Sequence, residues 1–126
     1  MSQVKSFIKG RADSFKFAIR GIKYTLKTQP NFKVHLFAAI VVVLFGFWVK
    51  LSANQWLALV ITIFSVLSSE TMNTAIEEIV NMIEPQYNKV AGLIKDIAAG
   101  AVFITSVMAI VVGLIIFVPK IIALVS

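Results

Sequence analysis

Residues 57–81 read LALVITIFSVLSSETMNTAIEEIVN. The stretch is apolar as far as Leu67 and then turns polar at helical spacing. Glu70, Asn73, Glu77 and Asn81 fall, relative to Glu70, at roughly 0°, −60°, −20° and +20° around a helix, with Thr74 on the same side. A helix that leaves an apolar run and gathers carboxylates and amides on one face has to present that face to something other than lipid. Charged groups in or near a span are expensive and usually face a bundle interior or a cavity. Glu70, directly after the apolar run, lies deepest. Glu77 is about 10 Å further along the axis.

Outward from this helix, the composition agrees with a bilayer as solvent. Hydrophobic residues make up 59% of the 126 residues and charged residues 14%, where soluble domains carry about 25% charged. The expected architecture is an all-α membrane protein forming one domain over residues 1–126, with spanning helices at 32–50, 55–83 and 96–118. Gln29-Pro30-Asn31 breaks the chain before the first span. Residues 50–54 turn it, 84–94 form a loop containing Pro85 and Gly92, and Pro119 with Lys120 stops the third span. Trp48 and Trp56 flank the first turn, as in an aromatic belt. Ala98-Ala99-Gly100-Ala101 suits close helix packing.

Residues 2–28 read as an amphipathic surface helix, with Val4, Phe7, Ile8, Phe15, Ala18, Ile19, Ile22 and Leu26 on one stripe. Eight of the twelve Lys and Arg residues precede residue 34. A basic segment of this kind suits nucleic acid, but directly before a span the cheaper partner is anionic lipid, and no nucleic acid is expected. The same bias predicts a cytoplasmic N-terminus, an external first turn and a cytoplasmic 84–96 loop. The basic region is too long for a cleaved signal peptide, and no small-residue cleavage site follows the first apolar run. Arg11 lies near the apolar stripe, where it reads either as a snorkelling arginine or as one aimed at an anionic ligand.

Several chemistries are excluded. There is no cysteine, and His35 is the one histidine, so disulfides, thiol nucleophiles and multi-histidine metal sites within the chain are out. His35, at the start of the first span, reads as an interface polar group. No G-x-x-x-x-G-K-[ST] loop or G-x-G-x-x-G fingerprint is present. The polar face supports two jobs. A deep carboxylate, Glu70, can take a proton from a lipid hydroxyl. A shallower one, Glu77 beside Asn73, can hold Mg²⁺. Lys95-Asp96 opens the third span on the same side of the membrane, where a lysine can pair with phosphate. Glu78 and Glu84 read as surface charges. A small proton-coupled transporter working through Glu70 is compatible with the same residues.

The segments ETMNTAIEEIVN (70–81) and KDIAAGAV (95–102), with SFKFAIRGI (14–22), NFKVH (31–35) and GLIIFVPK (113–120), resemble the bacterial diacylglycerol kinase/undecaprenol kinase family. That resemblance implies a three-span lipid kinase of the bacterial cell membrane. It also implies a homotrimer, with active sites shared between subunits at the cytoplasmic surface. ATP and Mg²⁺ would be the cofactors, and a lipid alcohol, undecaprenol or diacylglycerol, the acceptor. By position, Glu70 resembles the catalytic base, Glu77 a magnesium ligand and Asn73 a supporting polar group. Lys95 and Asp96 resemble the nucleotide-binding pair, Tyr87 falls in the nucleotide-contacting loop, and Arg11 resembles an N-terminal arginine of the family. Gln29 stands where the family usually has a metal-binding glutamate, Asn81 where it usually has aspartate, and Ile94 where alanine is common. A neutral amide at position 29 is a weaker Mg²⁺ ligand, so a catalytically impaired, lipid-binding homologue is a further alternative. The N-F-x-x-H pattern and AAGAV resemble the Gram-positive branch, which favours undecaprenol.

Overall fold

The structure is a computed structural model describing residues 1–126. It is entirely helical, with four helices: α1 (Ser2–Thr28), α2 (Pro30–Trp48), α3 (Ala53–Ile83) and α4 (Lys89–Val125). The last three are long and apolar enough to cross a membrane.

The α1–α2 elbow follows from Pro30. A residue before proline is pushed out of the helical region, and Gln29 is extended at φ −111°, ψ 107°. Proline then suits the first helical position of α2, where no N–H is needed. Thr25 and Phe32 bury themselves at the elbow. The rest of α1 stands apart: Phe7, Ile8, Phe15, Ile19 and Ile22 are left exposed by the remainder of the chain.

The α2–α3 turn closes tightly. Lys50 takes a left-handed φ of 59°, and the Leu51 N–H reaches back to the Gly46 carbonyl at 3.2 Å, the Schellman way of ending a helix. Ser52 and Gln55 then start α3 with a reciprocal capping box. Beside this turn Leu51, Leu59, Ile116 and Phe117 form a buried cluster, with Val42, Phe45 and Trp56 packed against it. Trp56 joins that packing, whereas Trp48 stays exposed.

Two boundaries differ from expectation. The loop after α3 spans only residues 84–88. Asn88 caps α4 by accepting from the Ala91 N–H at 2.8 Å, so Gly92 lies in the first turn of the helix, under the ring of Tyr87. Pro119 does not stop α4, which runs on to Val125. A proline deletes one ladder bond, and the turns after it continue without that bond. The Lys120 Nζ donates to the Lys50 carbonyl at 3.3 Å, tying the extension to the α2–α3 turn.

Candidate functional site

Most hydroxyls on α3 are used within the helix. Thr62, Ser65, Ser69, Thr71 and Thr74 each donate to the carbonyl four residues back, at 2.7–3.0 Å. Such bonds satisfy a hydroxyl where no water is available. The carboxylates and amides of the polar face have no such internal solution, and they are the groups that need partners.

Glu70 is 2% exposed. The His35 Nε2 of α2 stands 3.2 Å from its Oε1. This is close contact without hydrogen-bond alignment, and Oε1 accepts no hydrogen bond. One turn on, the Asn73 Nδ2 donates to the Glu77 Oε1 over a long 3.4 Å, leaving the buried Asn73 Oδ1 without a donor. Further along, the Lys95 Nζ of α4 donates to the Asn81 Oδ1 at 2.5 Å. Glu78 accepts from the Tyr24 hydroxyl of α1 at 2.8 Å, in keeping with an ordinary surface role. That bond holds the tyrosine in its protonated form and pushes its pKa up, with partial desolvation and the Glu78 charge adding to the effect.

These contacts set the register of the bundle. From the His35–Glu70 rung, six residues back along α2 and seven forward along α3 are about 9 and 10 Å. Gln29 and Glu77 therefore sit at matching depth. On α4, Asp96 is exposed beside Lys95, and Tyr87 leans over Gly92 at the start of the same helix. Glu70, Asn73, Glu77, Lys95, Asp96, Tyr87 and Gln29 thus all belong to one end of the bundle. Arg11 does not join them. Its guanidinium lies over the Phe7 ring, 5.4 Å from the centroid, about 20 Å along α1 from Tyr24.

The donor set suits a hard cation brought in with phosphate. The Glu77 carboxylate and the orphaned Asn73 oxygen are oxygen ligands of the kind Mg²⁺ takes, and that ion usually relies on one or two carboxylates plus substrate phosphates. Three or more acidic or histidine side chains do not converge anywhere in the chain, so no all-protein cage for a cation forms within one chain.

His35 is the partner that sequence reading missed. The available signal was a titratable side chain in each of two spans joined by a short turn. Such groups in a span pair with each other or face a cavity. A largely apolar crevice of about 300 Å³ runs between α2, α3 and α4 from His35 past Ala38, Val42, Leu59 and Val66 to Phe117.

Three long apolar helices with a buried acid against the histidine that lines a crevice, and a lysine and carboxylate beyond it, define a multi-pass membrane protein with a charged site at one end of its bundle. A model of the prokaryotic diacylglycerol kinase family matches residues 16–117. The chain is 42% identical over 107 residues to undecaprenol kinase of Bacillus subtilis, covering 85% of this chain and 87% of that protein. It is 34% identical over 112 residues to a diacylglycerol kinase of Synechocystis, covering 88% and 64%. It is 24% identical over 95 residues to the diacylglycerol kinase of Escherichia coli K12, covering 75% and 78%.

The chain belongs to the prokaryotic diacylglycerol kinase family. It is a kinase, and the transporter alternative gives way to that membership. Arg11 precedes the matched residues.

Proposed function

We propose that the protein transfers the γ-phosphate of ATP to the hydroxyl of undecaprenol, giving undecaprenyl phosphate. Diacylglycerol is the second acceptor, favoured by the names of the Synechocystis and Escherichia coli relatives. The observation that carries the reading is Glu70, a carboxylate buried against His35, which lines an apolar crevice, in a kinase-family chain. The similarity to an undecaprenol kinase favours the polyprenol.

In this reading the lipid hydroxyl reaches Glu70 from the bilayer side. The carboxylate takes its proton as the lipid oxygen bonds to phosphorus and the bond to the nucleoside diphosphate breaks. Lys95 turns from Asn81 to pair with phosphate oxygens. Tyr87 and Asp96 border the nucleotide, and Arg11, which stands apart from this set within one chain, would be a phosphate ligand only for the site of a neighbouring copy. Glu77 would hold Mg²⁺ with Asn73 beside it, and Gln29 at the same depth would be a weaker contributor. The ion, when bound, neutralises charge on the phosphate oxygens. Catalysis is otherwise a matter of positioning.

The test is phosphate transfer by purified protein, with ATP and Mg²⁺, to undecaprenol and diacylglycerol side by side. Faster transfer to undecaprenol is expected. Preference for diacylglycerol selects the second reading. Transfer to neither, with Mg²⁺ in excess, supports an impaired homologue.

Assembly and orientation are part of the proposal. Only 14 of 126 residues are buried in the single chain, which leaves the polar end thinly covered. Three copies in a bacterial cell membrane, with the N-terminus and site cytoplasmic and α1 at the interface, would cover it. Ala53→Cys should react with an impermeant reagent from outside intact cells and Asn88→Cys should not, and native mass in detergent should give a trimer. The reverse labelling, or an active monomer, contradicts this arrangement.

A further inference from the structure

The His35–Glu70 contact has a chemistry of its own. The two groups meet between α2 and α3, with His35 lining the end of the crevice and Glu70 almost fully buried behind it; the His35 side chain is 29% exposed. No third titratable group contacts the pair: the next acid on α3 is Glu77, two turns away, and at this level α4 contributes Ser106 to the crevice. A pair built only for stability would align donor and acceptor, because unaligned buried polar groups forfeit most of the gain from burial in contact. Here the nitrogen is close to Oε1 but not aligned with it, and Oε1 has no other donor.

We propose that His35 is a positioning residue for Glu70. In the working site the imidazole N–H, already within 3.2 Å of Oε1, closes on that oxygen and thereby leaves Oε2 as the one that meets the lipid hydroxyl. This rests on the reading of Glu70 as the base. Because His35 also lines the crevice, it stands between the apolar path of the lipid and the carboxylate, and it fixes how far the acceptor oxygen can advance. Loss of the N–H frees the carboxylate to rotate, and misplacement by about 1 Å can cost as much as 10²-fold in rate.

Three variants separate this from a packing role. His35→Phe keeps a ring without a donor. His35→Gln carries an amide nitrogen to about the place of Nε2. His35→Asn carries one only to the place of Nδ1. Steady-state transfer to the lipid is measured with ATP·Mg²⁺, alongside thermal midpoints. The expected pattern is a fall in kcat of about tenfold or more for Phe and Asn, an unchanged KM for ATP·Mg²⁺, and recovery to within a few-fold for Gln. Parental kcat in the Phe variant overturns the proposal, as does a Gln variant no better than Asn at equal thermal midpoint. If the Phe variant does not fold, the Gln and Asn variants decide alone. Glu70→Gln in the same assay tells the two readings apart. Transfer by that variant removes the base reading itself. An inactive Glu70→Gln with a fully active His35→Phe removes only the positioning role.

Discussion

The two ends of the bundle are built on opposite terms. At the α2–α3 turn every device of a stable helix hairpin is in place: a Schellman closure, a capping box, a glycine under a tryptophan and a buried apolar cluster. At the other end, buried oxygens of Glu70 and Asn73 lack donors, the Asn73–Glu77 bond is long, and a lysine rests on a neutral amide. An unpaired buried polar group costs about 1–3 kcal/mol. A chain that satisfies one end so fully and leaves the other unsatisfied has concentrated its strain at the end proposed to bind substrate. If stability resides at the turn and reactivity at the polar end, substitutions at the two ends should separate the two properties.

At the polar end the expected effect of substitution is on nucleotide binding. Lys95→Ala removes the cation proposed to pair with phosphate, and hydrogen bonds to charged groups contribute about 1.5–3 kcal/mol. The KM for ATP should rise about tenfold or more, with the KM for lipid and the thermal midpoint unchanged. An unaltered nucleotide KM would leave Lys95 as a structural partner of Asn81.

The opposite signature is expected at the turn. A Cβ on Gly46 would meet the Leu51 Cδ1 and the Trp56 Cη2 at 2.9 Å, and Leu51 is part of the buried cluster. Gly46→Val should destabilise by about 1–3 kcal/mol through overpacking. It should lower the thermal midpoint while leaving kcat within about twofold below the transition. A variant that loses activity without losing stability would break the division between the ends.

Gln29→Glu sharpens the comparison at smaller scale. It sits at the depth of Glu77, and a carboxylate there is a better Mg²⁺ ligand than an amide. A magnesium titration should show half-maximal activity at a lower concentration, by a few-fold. Superimposable curves would put Gln29 outside the metal shell.

How much of this was legible in the sequence follows the physics of each element. Apolar runs mark spans because hydrocarbon tolerates little else, and Gln29-Pro30 marks the elbow because proline constrains the residue before it. The common face of Glu70, Asn73 and Glu77 follows from helical periodicity alone. Pro119 misleads, because a proline removes one ladder bond without preventing further turns. Gly92 misleads for a similar reason, since Asn88 supplies the cap that lets the helix start before it. The His35–Glu70 rung depends on how α2 and α3 are rotated against each other. That is a tertiary property with no local pattern. The distance of Arg11 from the rest of the site has the same origin, since alignment gives position along the chain and not reach across the bundle.

The central claim is that the carboxylate buried against His35 takes the proton of a lipid alcohol. The direct measurement is phosphate transfer to undecaprenol by Glu70→Gln and by the parent protein, each checked for an unchanged thermal midpoint. Glutamine keeps the size and cannot accept the proton, and general-base contributions are about 10²–10⁴-fold. The account predicts a loss of at least about 10²-fold with the fold intact. Transfer within a few-fold of the parent would contradict it.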